Sequence, residues 1–320
     1  MILRLSLVAL ALIGAGLAWV WLAPFSTGPV LRLGSTTSTK DSGLLDHLIP
    51  LYEAETGIEV IVIAKGTGAA IRDGLSGRVD ALLVHNEQRE RELVAQGYAN
   101  SRRFIMSNSF LIVGPKSDRP ELDQPVSDQP ESDQTATSPD VLNTGDTLDT
   151  LLAQFAEGER GLFLSRGDHS GTHAAELNLW HIYGLDPSGF GPWYATTGTG
   201  MGQTLITANA NGASTLVDSA TWARHRAKGD LEILFGHVGQ TTGDATQFPT
   251  DPTARTAPPA NTGLENPYGY LALNPARIPG VQSMWAEDFG EWLAGPTGQA
   301  AIAAYLIDGM QVFKPESSAP

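Results

Sequence analysis

The sequence contains no cysteine in 320 residues. That absence excludes disulfides, thiolate zinc sites, iron–sulfur clusters and thiol catalysis together, and it leaves no residue for a lipid-modified cysteine tether. Positive charge is also scarce: 20 Lys and Arg stand against 35 Asp and Glu, a net charge of -15. Nucleic acid and anionic membrane surfaces call for clustered basic side chains, so neither is an expected partner. A small anion remains compatible with this balance. It responds to the donors of its own pocket, and surface charges are screened beyond about 8–10 Å. No P-loop, no GxSxG elbow and no HExxH helix occurs. Gly198-Thr199-Gly200-Met201-Gly202 is only a partial GxGxxG without its final glycine. Carboxylates are scattered rather than paired, so no acid–base couple stands out and an enzyme is not expected.

The chain is long enough for two lobes of ordinary domain size, and 42% hydrophobic with 17% charged residues is the composition of a folded protein. After a short basic start, Leu5 to Leu22 is an uncharged apolar run of 18 residues. Its length lies between a signal-peptide core and a minimal membrane span. Residues 1–28 therefore read as a signal peptide, with small residues Gly16 and Ala18 before Trp19, or as an uncleaved N-terminal membrane anchor. Either reading exports the rest of the chain to the periplasm or the cell surface.

Beyond this segment short apolar runs alternate with helical patterns. Val30 to Gly34, Glu59 to Ala64 and Val79 to Val84 read as strands. Ser42 to Glu55 reads as a helix with Leu44, Leu45, Leu48 and Tyr52 on one face and Gly57 past its end. Near-continuous apolar strands between helices indicate an α/β fold with mostly parallel sheets flanked by helices. Phe104 to Gly114 is a long extended stretch. It is followed by a polar segment in which DQPVS, DQPES and DQTAT repeat every five residues. Such a segment has too little apolar surface to offset ordering entropy and reads as a solvated insertion at about 117–147. A second irregular stretch covers about 237–262. The expected layout is one lobe from 29–110 plus 264–320 and another from 111–263, with the chain crossing twice, an arrangement suited to closure around a ligand.

Three segments share one design, a strand end followed by small hydroxyl or glycine residues and a helix start. They are Ser35-Thr36-Thr37-Ser38, Ser165-Arg166-Gly167-Asp168-His169-Ser170-Gly171-Thr172, and Thr196 to Gly202 with Thr199, Gly200 and Met201. Val217-Asp218-Ser219 is a related fourth. Ligands of open α/β sheets bind beyond the carboxyl ends of strands, and helix N-termini offer unpaired N–H groups and partial positive charge. Several converging ends make an anion site without a basic cluster, to which Ser and Thr add hydroxyls and Arg166 a planar fork. Each run also has a plainer reading as a set of helix caps, and Arg166 with Asp168 as a surface ion pair. His169 and His173, near Asp168 and Glu176, have weak metal-site spacing and read as histidines at a helix start; no bare metal ion is expected. Trp180, Trp193 and Trp222 read as packing residues.

GSTTSTKDSGLLDHLIPLYEAETGIEV, GTGAAI and GRVDALLVH, followed in order by SRGDHSGTHAAELNLW, WYATTGTGMGQTL, NPYGYLALNP and WLAGPTGQAAIAAY, resemble the TupA-type tungstate-binding proteins of ABC transporters. The resemblance runs from about Leu31 to Phe313. It implies a two-lobed type II periplasmic-binding-protein fold with a ligand cleft between the lobes. It further implies tungstate, or molybdate, as the ligand, no cofactor, and an ABC permease with its ATPase as partners of a monomeric binding protein. By motif match the oxyanion contacts are Thr36, Thr37, Ser38, Arg166, Ser170, Gly171 and Thr172. Ser35, Asp168, Thr199, Gly200, Met201 and Asp218 form a second tier. Two departures stand out: Ser35 where a threonine is common in the family, and Val217-Asp218-Ser219-Ala220-Thr221 where Thr-Asp-Arg-Gly-Thr is usual.

The competing ligands are molybdate, phosphate and sulfate, and a surface sensor or enzyme on the same fold is a further alternative. Hydrogen phosphate could give a proton to Asp168. Tungstate, molybdate and sulfate are full dianions, and a carboxylate facing them is repulsive. With these ligands Asp168 is expected to turn away and orient Arg166.

Overall fold

The computed structural model describes residues 28–116, 147–241 and 263–316. The apolar run at 5–22, the five-residue repeat and most of the second irregular stretch lie outside the described residues. Among the described residues no helix is long and apolar enough to cross a membrane.

The chain begins with β1 (Val30–Thr36), which passes directly into the short α1 (Thr37–Asp41) and then α2 (Leu44–Thr56). Leu31 and Leu33 of β1 are fully buried, as are Leu44, Leu48 and Tyr52 along one face of α2. This is the 3.6-residue spacing of a helix laid on a sheet. Gly57 ends α2 in the left-handed region (φ 70°), where a Cβ would be strained. β2 (Glu59–Lys65), α3 (Thr67–Leu75), β3 (Ala81–Val84) and α4 (Glu87–Ala95) follow. β1 pairs in parallel with β2 on one side and β3 on the other. The carboxyl ends of all three strands therefore share one edge, at Thr36, Lys65 and His85.

β4 (Arg103–Pro115) crosses between the two parts of the molecule. Up to Ser109 it pairs antiparallel with β10 (Glu265–Ala272). From Phe110 onward it pairs antiparallel with β7 (Thr215–Asp218) and β8 (Leu231–Phe235). β10 also lies antiparallel to β3. The sheet is thus mixed: the strands that leave and return between lobes run against the parallel set. The remainder comprises α5 (Leu148–Glu157), β5 (Phe163–Ser165), α6 (Gly171–Ile182), β6 (Tyr194–Thr196), α7 (Met201–Asn211), α8 (Ser219–Arg224), β9 (Gln240–Thr241), α9 (Ser283–Ala294), α10 (Pro296–Ala304), β11 (Met310–Gln311) and β12 (Lys314–Pro315). β5 and β6 are parallel, so their ends at Ser165 and Thr196 also lie side by side.

The largest core cluster runs from β1, α2 and α9 through β4 to α7, β7 and α8, so the two lobes share continuous packing along the crossing strand. A second cluster lies under α5 and α6, where Phe163, Trp180 and Phe190 meet edge to face. A third holds α3 and α4 against β3. Buried Asp80 accepts Arg32 through both carboxylate oxygens at 3.0 and 2.6 Å, which ties β1 to the start of β3. Its oxygens also take the backbone N–H groups of Arg32 and Gln282, so the buried charge is fully hydrogen-bonded.

Candidate functional site

The strand ends converge on a cleft. On one wall, Thr36 caps α1, its hydroxyl accepting the Thr39 N–H at 3.2 Å. The same hydroxyl lies 3.1 Å from Ser38 Oγ and 2.6 Å from Thr39 Oγ1, so three hydroxyls cluster within one turn. Thr37 is exposed toward the cleft mouth, while Thr36 and Ser38 are buried. Ser35 donates its hydroxyl to the Leu83 carbonyl at 2.8 Å and so serves the sheet.

The other wall is the turn between β5 and α6. Gly167 and His169 adopt positive φ (61° and 57°), folding the turn back so that Arg166, Asp168 and Ser170 face one another. Arg166 is buried. Its Nη2 donates to Asp168 at 2.5 Å and its Nη1 to Thr172 Oγ1 at 3.4 Å. Its Nε has no hydrogen-bond partner among the described residues. A guanidinium has five donor hydrogens, so donors remain uncommitted. Asp168 also accepts the Ser170 N–H at 3.1 Å. Burial raises the Asp168 carboxyl, but the bonds from Ser170 and the charge of Arg166 outweigh it and hold the group below its ordinary value. Ser170 caps α6 by accepting the His173 N–H at 3.2 Å, and its hydroxyl hydrogen goes to the Asp168 carboxylate.

Several contacts join the walls. The Gly171 N–H donates to Thr67 Oγ1 at 3.1 Å. A Cβ on Gly171 would lie 2.5 Å from His85 Cε1, so the N-terminus of α6 approaches that ring as only glycine permits. His85 Nε2 in turn stands 3.3 Å from Ser38 Oγ. Thr36, Ser38, Arg166, Ser170, Gly171 and Thr172 are thereby gathered around His85 and Thr67. Thr37 lies at the edge of this group. With Ser38 and Asp41 it lines one side of a cavity of 510 Å³, whose other side is Gly200, Met201, Gln203 and Thr221 with Arg224 and His225.

The second-tier positions have mixed placements. The Gly198 N–H donates to the Arg166 carbonyl at 2.8 Å, so the TGTGMG loop rests on the backbone of the arginine turn. Thr199 bonds Thr197 and Thr204 at 3.2 and 3.3 Å, and Gly200 and Met201 start α7. Asp218 caps α8, accepting both the N–H and the hydroxyl of Thr221. Ser219 lies 3.4 Å from the Ser109 N–H. His173 Nδ1 accepts the His169 N–H, and buried Glu176 accepts from Tyr194 and Trp180. The described residues contain no metal-ligand cluster.

Sequence reasoning did not single out Thr67 or His85, nor the groups around the His85 ring: Asn266 Oδ1 lies 3.1 Å from its Nδ1, Asn108 Oδ1 lies 2.7 Å from Asn266 Nδ2, and the Tyr268 ring centroid is 5.0 Å away. One available signal was position: Thr67 and His85 follow the ends of β2 and β3, the same edge that singled out Thr36. Asn108 and Asn266 carried no signal, since they lie inside strands.

A family model for a PBP superfamily domain matches residues 23–297. The tungstate-binding protein TupA of Peptoclostridium acidaminophilum is 33% identical over 89% of this chain and 85% of its own length. The chain belongs to the TupA-type family of the PBP superfamily. TupA-type relatives of known structure agree with this. The tungstate-binding protein TupA from Desulfovibrio alaskensis G20 is 32% identical with a TM-score of 0.66, covering 90% of this chain and 99% of that one. The tungstate ABC transporter structure from Geobacter sulfurreducens is 34% identical with a TM-score of 0.65, covering 86% and 98%. The fold is therefore the two-lobed type II binding-protein fold of the TupA-type family, with its cleft at the strand ends described above.

Proposed function

We propose that this protein captures tungstate outside the cytoplasm and delivers it to an ABC permease and its ATPase, without performing chemistry on it. The observation that carries this reading is Arg166, a buried cation held in place by Asp168 and still possessing uncommitted donors, set opposite a wall of buried hydroxyls. A tetrahedral dianion exchanges its water shell for such donors. The guanidinium supplies the charge, Thr172, Thr36 and Ser38 supply hydroxyls, and Ser170 at the start of α6 holds Asp168 in place. Asp168 accepts from Arg166 and Ser170, which favours a fully deprotonated ligand over hydrogen phosphate. The choice of tungstate over molybdate rests on the relatives alone, because the two dianions present the same charge and shape.

The pairing of β4 supports a lobe division of 29–110 plus 264–320 against 111–263, since its partners change between Ser109 and Phe110. The protein acts as a monomer, exported or anchored by its N-terminal apolar run.

The test is thermal unfolding of the full chain, in mild detergent, with tungstate, molybdate, sulfate or phosphate added separately. A ligand at a thousand times its dissociation constant stabilises the fold by about 4 kcal/mol. A large shift with tungstate, smaller with molybdate and absent with the others, is expected. A shift with phosphate alone would replace the ligand, and no shift at all would remove the binding reading.

A further inference from the structure

The cleft contains a relay of hydrogen bonds whose direction is fixed from one end. Asp218 Oδ1 lies 3.3 Å from Asn108 Nδ2. A carboxylate only accepts, so Asn108 turns its NH2 toward Asp218 and its Oδ1 toward Asn266. Asn266 Nδ2 donates to that oxygen at 2.7 Å. Asn266 Oδ1 then faces His85 Nδ1 at 3.1 Å. An amide oxygen also only accepts, so the ring hydrogen must sit on Nδ1. In the neutral imidazole this makes Nε2 an acceptor, and Nε2 stands 3.3 Å from Ser38 Oγ. Thr36 Oγ1, 3.1 Å from Ser38 Oγ, is a second acceptor within reach, but only donation to His85 leaves the buried Nε2 paired, so Ser38 gives its one hydroxyl hydrogen to His85. All five side chains are buried, so water does not relax these choices.

This direction conflicts with the anion-binding role of Ser38. With its hydrogen committed to His85, the hydroxyl can present only lone pairs to an anion, which is repulsive. One proton removes the conflict. On protonated His85, Nε2–H donates to Ser38 Oγ, and the hydroxyl hydrogen is released to the ligand. We propose that oxyanion capture is coupled to proton uptake by His85, which acts as a positioning residue turning the Ser38 hydroxyl toward the bound anion. The inference rests on the reading of Thr36–Ser38 as an oxyanion contact. The proton comes from solvent and no covalent bond of the ligand changes.

The surroundings of His85 agree with this. Burial pushes the imidazole below its ordinary value, Asp218 pulls it up and Arg166 pushes it down. Tyr268, whose ring centroid lies 5.0 Å away, is held neutral because burial raises its hydroxyl well above the ordinary range. Ser38, Asn266 and the Gly171 end of α6 bring no charge of their own. The anion-free ring is therefore neutral near neutral pH. A dianion beside it joins Asp218 in favouring the charged ring and offsets Arg166. The sign follows: the bound state holds the proton more tightly, so affinity rises as pH falls between the bound and free values.

The experiment is calorimetric titration of the full chain with sodium tungstate, at one pH near neutrality, in two buffers of different ionisation heat. The expected result is an apparent enthalpy that depends on the buffer, reporting uptake of a fraction of one proton. Affinity should weaken with rising pH by at most about tenfold per unit. In His85→Gln the buffer dependence should vanish and affinity become independent of pH, with ligand-free thermal unfolding checking that the variant is folded. If that variant does not fold, the carbon and proton shifts of the His85 ring in the unaltered protein are followed as tungstate is added; a move to the protonated position supports the relay, and no move overturns it. Tungstate heat that ignores both buffer and pH overturns the relay and leaves the proposed function standing. No tungstate heat in any buffer overturns both.

Discussion

The wall built from Thr36 to Thr39 has no charged side chain, whereas the facing wall from Ser165 to Thr172 carries both Arg166 and Asp168. The first wall is local in origin. Its hydroxyls cap α1 and bond one another within a single turn. The second depends on a folded-back turn with two residues at positive φ, and its charge is oriented by a partner two positions away. One wall supplies neutral dipoles at low cost. In the proposed site the other supplies the full charge of Arg166, kept aligned by Asp168. On the proposed reading a protein of net charge -15 holds an anion through one buried fork rather than through its surface charge.

This contrast can be broken first at Arg166. Removing one partner of a buried charge pair costs on the order of 3–5 kcal/mol, so Arg166→Ala should lose about two to four decades of tungstate affinity in calorimetry. Unchanged affinity would mean that the second wall is not the charged one in function. Thr36→Ala tests the neutral wall. It removes a helix cap and one hydroxyl, and a loss of about 1–2 kcal/mol is expected, visible in chemical denaturation as well as in affinity. A loss as large as that of Arg166→Ala would erase the distinction between the walls.

Asp168→Asn gives an effect of similar size to Thr36→Ala and sharpens the account of orientation. The planar amide still accepts from Arg166 but without charge, so about a tenfold weakening of tungstate binding is expected. The variant also has a pH signature. The folded carboxyl is held below its ordinary value. Its contribution to stability is therefore complete above the unfolded pKa and is lost as pH falls through the folded one. Acid unfolding of the Asn variant should lack that component, so the midpoint difference between the two proteins should shrink as pH is lowered. A difference that stays constant with pH would show that Asp168 does not titrate with folding.

Much of the fold was legible in the chain. The apolar runs that became β1 to β4, and the amphipathic spacing of α2, follow from period and capping residues that act over a few positions. The short α1 was not read as a helix of its own, because five hydroxyl residues in a row suggest a loop until Thr36 is seen capping the turn. α3 and α4 were also not singled out. Their sequences are rich in Gly, Arg and Glu, and they take their place by packing Ala70, Ile71 and Leu93 against β3.

The loops around Arg166 were readable because the residues that build each wall are close together in sequence: Asp168 orients Arg166 from two positions away, and Thr36 caps a helix that begins at the next residue. The links between the walls were not readable. His85 meets Ser38 across 47 positions, Asn266 meets His85 across 181, and Asn108 meets Asp218 across 110. No local propensity encodes such pairings. They arise because β4 crosses between the lobes and pairs with β10, which sets Asn108 and Asn266 side by side at the cleft. The sequence by itself thus determined the elements, their caps and the chemical character of each wall. Only the tertiary structure decided which donors face which acceptors, because hydrogen-bond direction in a buried network is a property of the whole chain of partners.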